Sequence, residues 1–164
     1  MDKLTHLDGK GRAKMVDVGS KEATARQAIA RGTVRFNTAA FRALSDSQLA
    51  KGDAIAVARI AGIQAAKRTS EWIPLCHPIA LTQVVIDIDL DASRRAAIVT
   101  ATTKCVGPTG VEMEAIVAVQ AACATLYDMA KALDRAIVIE EVLLLSKSGG
   151  RSGDYQREDG NPRG

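Results

Sequence analysis

The sequence is poor in aromatic residues, in cysteine and in proline. Only 3% of its 164 residues are aromatic, and it has 3 cysteines and 4 prolines. So few aromatic side chains argue against a stacking platform for single-stranded nucleic acid. No apolar run approaches the length of a membrane-spanning helix, and residues 1–6 do not have the pattern of a signal peptide. We therefore expect neither a nucleic-acid-binding protein nor a membrane protein.

The three cysteines, Cys76, Cys105 and Cys123, are odd in number and show no Cys-x-x-Cys spacing. This pattern argues against a disulfide framework and favours a reducing compartment, so we expect a cytoplasmic protein. Cys76 is followed directly by His77, and adjacent residues make a poor pair of ligands for one metal ion. No carboxylate cluster demands a built-in metal either, so the sequence predicts none.

What the chain does contain is typical of a globular protein. It is 47% hydrophobic and 25% charged, and it is long enough for one domain with a core of its own. Its net charge of +3 suits a polyanionic small molecule as a binding partner. The polar ends predict a flexible arm at 1–13 and a flexible tail at 158–164, with a single α+β catalytic domain at 14–157 between them.

The longest apolar stretch predicts a buried helix from about Thr109 to about Leu133, because no residue between 115 and 127 is charged. Glu114 and Asp128 are 14 residues apart, which places them within roughly 40° on one helix face and roughly 21 Å apart along the axis. One small substrate cannot reach both. If both acids are functional, they serve two sites, or one site that two chains assemble.

The remaining elements are predicted from alternation and from capping residues. Val84–Leu90 and Ala97–Thr103 alternate and predict an antiparallel hairpin, and a last strand is expected at Ile137–Leu145. Short strands are predicted at 14–18 and 33–37, helices at 21–31, 38–50 and 53–70, and a capping box at the sequence Thr109-x-x-Glu112. This order predicts one α+β domain with an antiparallel sheet packed against helices.

Asp128 and Lys131 lie three residues apart, so they are neighbours on the surface of the long helix. An acid beside a lysine in a cleft can donate or accept a proton while the cation holds a phosphate. The alternative is an exposed ion pair of little energetic consequence, which is the usual case. Glu112 and Glu114 at the other end face the same choice, because acids in a first helical turn also stabilise the helix.

Two loops are further candidates for a site. Pro74 and Pro78 fix the backbone around His77, whose ring could bind a substrate or move a proton, although a lone histidine is more often structural. The glycine-rich stretch 146–153 could hold phosphate with its backbone N–H groups and with Lys147 and Arg151, or it could be a flexible tail. As single residues, Arg26, Lys51 and Lys67 read as solvated cations.

Taken in order, these stretches closely resemble the molybdenum cofactor biosynthesis protein C family, the cyclic pyranopterin monophosphate synthases. The matching strings extend from residue 15 to about residue 155. The most specific are Pro74-Leu75-Cys76-His77-Pro78 and Gly110-Val111-Glu112-Met113-Glu114-Ala115. The others are Met15-Val16-Asp17-Val18, Thr24-Ala25-Arg26, Lys51-Gly52-Asp53, Ala58-Arg59-Ile60-Ala61-Gly62-Ile63-Gln64-Ala65-Ala66-Lys67, Tyr127-Asp128-Met129-Ala130-Lys131-Ala132 and Lys147-Ser148-Gly149-Gly150. Arg151 stands where this family commonly has a lysine.

This resemblance implies a lyase of molybdopterin synthesis with a ferredoxin-like α+β fold. The substrate would be a cyclised dihydro-GTP, 3',8-cyclo-7,8-dihydroguanosine triphosphate, and the products cyclic pyranopterin monophosphate and pyrophosphate. The protein would be a homohexamer, a trimer of dimers with active sites at subunit interfaces. The reaction requires no redox cofactor, and Mg²⁺ could accompany the triphosphate.

The resemblance also implies a role for each motif residue. Asp128 would be the general acid or base, with Lys131 and Lys51 as catalytic cations. The substrate-binding residues would be Leu75, Cys76, His77, Glu112, Met113 and Glu114 at the ring end and Arg26, Lys67 and Lys147 at the triphosphate. Two other readings stay open at this point: a non-catalytic nucleotide- or pterin-binding module, and a nucleic-acid-binding domain suggested by the basic tail.

Overall fold

The computed structural model describes residues 9–151 and 153–158. Nine helices and strands follow one another within this part of the chain. They are β1 (Thr24–Arg35), α1 (Thr38–Ser45), α2 (Ala54–Lys67), α3 (Thr69–Trp72), β2 (Leu81–Asp91), β3 (Ala96–Gly107), α4 (Glu112–Ala130), β4 (Val138–Ser148) and β5 (Tyr155–Gln156). No helix among the described residues is long and apolar enough to cross a membrane.

The strands form one antiparallel sheet in the order β2-β3-β1-β4-β5. The strand β1 is central because it pairs with β3 along one edge and with β4 along the other. The helix α4 packs against β1, β3 and β4, while α2 packs against β2 and α4. The sheet and its helices confirm the predicted ferredoxin-like α+β fold.

The core depends on small residues where the helices approach the sheet and each other. A Cβ added at Gly32 in β1 would lie 2.6 Å from Val119 Cγ1 of α4. A Cβ added at Gly62 in α2 would lie 3.0 Å from the Ala118 carbonyl oxygen, also in α4. Because close-packed interiors leave no room for extra atoms, these glycines set how closely α4 approaches β1 and α2.

Three of the sequence predictions are confirmed almost in full. The hairpin exists as β2 and β3, the last strand as β4, and the long buried helix as α4. Asp53, the first residue of the predicted helix 53–70, is the N-cap of α2, because its Oδ1 accepts a hydrogen bond from the Ala56 N–H at 2.9 Å. These features have strong local signals, namely alternation, an uncharged run and a capping aspartate.

The predicted helix at 21–31 is wrong, since residues 24–31 belong to β1 and residues 21–23 form neither helix nor strand. Ala28, Ala30 and Val34 are fully buried at alternate positions, which is the pattern of a strand. Gly32, which directly follows the predicted helix, lies within the strand beneath α4. Pairing with strands on both edges outweighed the local preference of an alanine-containing segment for helix.

Smaller corrections concern the ends of elements. The predicted helix 38–50 ends at Ser45, and the predicted helix 53–70 is interrupted at Arg68 between α2 and α3. Residues 14–18 form no strand, and the short strand β5 lies within the predicted domain at a position where the sequence predicts no strand. The capping box is also wrong, because α4 begins at Glu112 after the N-cap Val111, with no side-chain cap in the described structure.

The predicted arm, domain and tail fall partly on residues without a description. Residues 1–8 of the arm and 159–164 of the tail lie outside the described residues. Residues 9–13 are exposed, and the sheet extends from residue 24 to residue 156. The boundaries of the single catalytic domain at 14–157 stay a prediction.

The contact between Gly32 and α4 leads to a prediction about stability. The substitution Gly32→Ala is expected to lower the free energy of unfolding by about 1–3 kcal/mol, because the added methyl overlaps Val119. This cost exceeds the smaller gain from a less flexible unfolded chain. Denaturant unfolding measures it, with Gly9→Ala as the control because nothing lies within 4 Å of that position. Equal stability of the two variants would contradict the packing described above.

Candidate functional site

The predicted acid–lysine group forms at the carboxyl-terminal end of α4. Asp128 Oδ1 accepts from Lys131 Nζ at 2.7 Å, and Asp128 Oδ2 accepts from Lys51 Nζ at 2.6 Å. Lys51 Nζ also donates to the Asp128 carbonyl oxygen at 2.8 Å. The turn before α2 therefore brings Lys51 to the end of α4, where one carboxylate bridges two ammonium groups.

These contacts determine the charge of the group. Hydrogen bonds from Lys131 and then from Lys51 lower the pKa of Asp128 to about 2. The hydrogen bond to Asp128 in turn raises the pKa of Lys131. All three side chains are about half exposed in the single chain. The group thus presents an ionised carboxylate and at least one firmly protonated amine at an open surface.

The opposite end of α4 lines a cavity of about 440 Å³. Six residues predicted to bind the ring end of a substrate meet here from two separate segments, the Pro-Leu-Cys-His-Pro loop and the start of α4. They are Leu75, Cys76, His77, Glu112, Met113 and Glu114. The segment before β1 closes the cavity on another side with Val16, Val18 and Lys21.

Glu114 has the most unusual environment in this cavity. It is 3% exposed, and burial raises its pKa to about 7, an effect that the nearby Glu112 reinforces. Near neutral pH this carboxyl group is therefore divided between its acid and its carboxylate, so it can donate or accept a hydrogen bond. Burial, with a contribution from Glu114, also raises the pKa of the Cys76 thiol, which stays protonated.

His77 holds the segment before β1 against the cavity. Its Nε2 lies 2.7 Å from the Val16 carbonyl oxygen, 61 residues away in sequence. Because a carbonyl oxygen only accepts, Nε2 donates in this contact. The other ring nitrogen, Nδ1, has no hydrogen-bond partner among the described residues. In this state His77 positions a loop, which adds a structural role to the predicted substrate contact.

A second cavity, of about 510 Å³, adjoins the first, and four residues line both. These shared residues are Lys21, Thr109, Gly110 and Glu112. Arg26 and Arg151 give the second cavity further positive charge. Arg26 Nε donates to the Gly107 carbonyl oxygen at 2.9 Å, and Lys147 Nζ pairs with Glu112 Oε1 at 3.0 Å. Arg26 thus lines this basic hollow, and Lys147 lies at its edge through its ion pair with Glu112.

The acid–lysine group and the two cavities lie at opposite ends of α4. The helix continues unbroken between Glu114 and Asp128, so their separation of roughly 21 Å along the axis follows from helix geometry. Neither cavity is lined by Lys51, Asp128 or Lys131. Lys67 ends α2 as an exposed residue and lines neither cavity.

Sequence reasoning missed several cavity residues. Lys21, which lines both cavities, falls in the segment that the sequence predicts as a helix, and the sequence predicts no role for Glu22 or Thr24. Met15-Val16-Asp17-Val18 is a family motif, but nothing in it indicates that Val16 and Val18 line the same cavity as His77. For Arg151, the glycine-rich basic stretch 146–153 does predict a possible contact with phosphate. Contacts that join residues far apart in sequence gave no local signal.

The burial of Glu114 predicts how stability depends on pH. A raised pKa in the folded state means that this state retains a proton that the unfolded chain releases above about pH 4.5. The free energy of unfolding of the wild type is therefore expected to fall, relative to that of Glu114→Gln, as pH rises from about 4.5 to about 7. Above that range the difference becomes constant. Denaturant unfolding at several pH values measures it, and exposed Glu71→Gln serves as the control.

The difference in free energy of unfolding between variant and wild type must change with pH for Glu114→Gln and must not show this change for Glu71→Gln. A constant difference between Glu114→Gln and wild type from pH 4.5 to 7 would contradict a raised pKa at this position. Such a result would mean that Glu114 is as well solvated in the folded protein as in the unfolded chain.

Comparison with known proteins supports the resemblance seen in the sequence. The model of the MoaC family matches residues 15–150. A protein of Parvibaculum lavamentivorans named cyclic pyranopterin monophosphate synthase is 53% identical over 94% of this chain and 96% of its own length. A protein of the same name from Heliobacterium modesticaldum is 52% identical over 97% of this chain and 100% of its own. Molybdenum cofactor biosynthesis protein 1 of Homo sapiens is 50% identical over 95% of this chain, which corresponds to 24% of that protein.

The family match covers both ends of α4, the Pro-Leu-Cys-His-Pro loop and the start of the glycine-rich loop. The identity of about one half extends over nearly the full length of the bacterial relatives. Together with the predicted fold and the motif residues in place, these matches establish that the chain belongs to the MoaC family.

Proposed function

We propose that the chain is a cyclic pyranopterin monophosphate synthase, a lyase of molybdenum cofactor biosynthesis. It converts 3',8-cyclo-7,8-dihydroguanosine triphosphate to cyclic pyranopterin monophosphate and pyrophosphate. The observation that carries this proposal is that relatives of that name are about 50% identical over nearly the whole chain. A basic hollow beside a partly apolar cavity suits a substrate with a triphosphate and a fused ring.

The phosphoryl part of this reaction needs a proton acceptor and several cations. A sugar hydroxyl oxygen forms a bond to the α-phosphorus, and the bond from that phosphorus to the bridging oxygen of the β-phosphate breaks. Pyrophosphate leaves with the electron pair of that bond, and the hydroxyl proton passes to a base. Positive charge stabilises the developing charge on the phosphate oxygens, so arginine and lysine side chains dominate such sites.

Asp128 is the proposed proton acceptor, and Lys51 and Lys131 are the proposed catalytic cations. Because its pKa is low, the Asp128 carboxylate is ionised at neutral pH. Its two oxygens also orient the ammonium groups of Lys51 and Lys131. Either ammonium can stabilise negative charge or donate a proton during ring opening and ring closure. The low pKa favours a base over an acid as the first role of Asp128.

The cavity at the start of α4 is proposed to hold the ring end of the substrate. Leu75, Cys76 and Met113 offer apolar contact, while His77 and the carboxyl groups of Glu112 and Glu114 offer polar contact. A carboxyl group with a pKa of about 7 can donate a hydrogen bond to an unprotonated ring nitrogen or accept one from a protonated ring nitrogen. This versatility suits a substrate whose ring is opened and closed again.

The triphosphate is proposed to lie in the adjoining basic cavity. Arg26 and Lys147 are held there by Gly107 and Glu112, and Lys67 is proposed to reach the substrate from the end of α2. We propose that no cofactor is resident in the protein and that Mg²⁺ accompanies the triphosphate, since it binds phosphate oxygens readily. The basic side chains then bind the phosphate oxygens that the ion leaves free.

We propose that the protein is a homohexamer, a trimer of dimers, whose active sites combine two chains. Roughly 21 Å of helix separates the catalytic group from the ring-binding cavity, and one substrate needs both. Val57 and Ile60 on α2 are 43% and 61% exposed, three residues apart on the helix that packs beside α4. Exposed large apolar side chains on one helix face support a contact between copies there.

A cytoplasmic location is proposed from the state of the cysteines. Cys76, Cys105 and Cys123 are all free thiols in the described structure. Free thiols persist in a reducing compartment, where their oxidation is reversed.

The assigned base leads to a prediction about turnover. Asp128→Asn is expected to fold and assemble normally, because Asp128 is exposed, and to lose about 10²–10⁴-fold in kcat. Pyrophosphate release from the cyclised dihydro-GTP measures this loss. The wild type in the same assay distinguishes the synthase from a binding module, which would bind the substrate and release no pyrophosphate. Normal turnover by Asp128→Asn would refute the assignment of the base.

The shared site predicts rescue between two inactive variants. Glu114→Ala and Asp128→Ala are each expected to be inactive, but a mixed dimer restores one intact site out of two. After equal amounts of the variants exchange subunits fully, activity should approach about one quarter of the wild-type rate. Fluorescence transfer between labelled chains verifies the exchange. Exchange without recovered activity would count against a site built from two chains.

A further inference from the structure

The loop after β4 makes an unusual contact with Arg26. Gly149 and Gly150 have positive φ angles of 90° and 83°, in the left-handed region that favours glycine. A Cβ added at Gly150 would overlap Nη1 of Arg26 and lie 2.7 Å from its Cζ and 3.0 Å from its Nη2. The guanidinium therefore lies directly against the backbone of Gly150, in the space that a side chain would fill.

A second contact fixes the other side of the same guanidinium. Arg26 Nε donates to the Gly107 carbonyl oxygen at 2.9 Å. No carboxylate among the described residues forms an ion pair with Arg26, so the positive charge of its guanidinium is available to a ligand. Two backbone contacts, one from the end of β3 and one from the loop after β4, thus hold the orientation of Arg26 beside the basic cavity.

From these contacts we infer that Gly150 is a positioning residue that aims Arg26 at the leaving pyrophosphate of the substrate. This inference rests on the proposed function and extends it to a residue that touches Arg26 rather than the reacting atoms. A planar guanidinium binds two phosphate oxygens at once only when its plane is held correctly. Any side chain at position 150 displaces that plane.

The surroundings of Arg26 favour a polyphosphate over a single small anion. Lys21 and Arg151 line the same cavity of about 510 Å³, and Gly150 itself forms part of its wall. The hollow adjoins the cavity proposed for the ring end, so one extended ligand can occupy both. Pyrophosphate, with several charged oxygens, needs more than one cation, and this hollow supplies three besides Lys147 at its edge.

The same loop contains a matched control. Gly153 also has a positive φ, 69°, but nothing lies within 4 Å of a Cβ added there. A substitution at Gly153 therefore introduces left-handed strain without displacing a neighbour. Asparagine tolerates the left-handed region better than other residues with a side chain. Gly150→Asn and Gly153→Asn thus differ mainly in the displacement of Arg26.

The experiment measures binding of inorganic pyrophosphate to the full chain by titration calorimetry. Gly150→Asn is expected to weaken binding about 10- to 100-fold, the effect of losing a charge-assisted hydrogen bond. The KM for the cyclised dihydro-GTP should rise more than kcat falls. Gly153→Asn should bind pyrophosphate as the wild type does. Gly150→Ala, a smaller side chain at the same position, provides a second variant and should also weaken binding.

An Arg26→Lys background tests whether Gly150 acts through Arg26. Lysine has no guanidinium plane to displace, so adding Gly150→Asn to Arg26→Lys should weaken pyrophosphate binding no further. Additive losses, equal losses at Gly150 and Gly153, or wild-type binding by Gly150→Asn would each overturn the inference. Failure of the wild type to bind pyrophosphate would overturn it as well.

These outcomes are distinct from a failure of the proposed function. A wild type that binds pyrophosphate and shows the Gly150 pattern, yet makes no cyclic product, would refute the synthase and support Gly150 as the residue that orients Arg26. A wild type that makes the product while Gly150→Asn matches it in KM and in pyrophosphate binding would refute only the role of Gly150.

Discussion

The close packing of α4 against β1 and α2 is the constraint on which the rest of the structure depends. Gly32 and Gly62 leave space that Val119 and the Ala118 backbone occupy, so the helix lies deep in the core. A helix held in this way cannot bend to bring its ends together. The charged groups at the two ends therefore stay apart within one chain, and this separation is the physical reason for proposing a site that two chains share.

The same helix gives two carboxyl groups opposite properties. Glu114 lies in the first turn, where the helix dipole favours a negative charge, yet burial raises its pKa to about 7. Asp128 lies near the last turn, where the dipole opposes a negative charge, yet two lysines lower its pKa to about 2. Local solvation and direct hydrogen bonds outweigh the dipole at both ends. The protein thereby keeps one carboxyl group ready for proton exchange and the other ionised.

The proposed phosphate site depends on backbone geometry as much as on charge. The glycine-rich loop brings Gly150 against Arg26, and the end of β3 supplies the carbonyl of Gly107. Lys147 at the end of β4 pairs with Glu112 at the start of α4. The central strand β1 places Arg26 between these neighbours, because it pairs with β3 and β4 at once. The basic hollow is thus a consequence of the strand order of the sheet.

Local patterns in the sequence determined α4, the hairpin, the last strand and the cap at Asp53, because periodicity and capping act over a few residues. The family motifs also named the groups that meet at each end of α4. Only the tertiary structure decided that residues 24–35 form the central strand, since that outcome required partners on both edges. It also decided that His77 contacts Val16 and that Gly150 lies against Arg26. Such contacts join distant parts of the chain, and they stabilise the protein only once the sheet has brought those parts together.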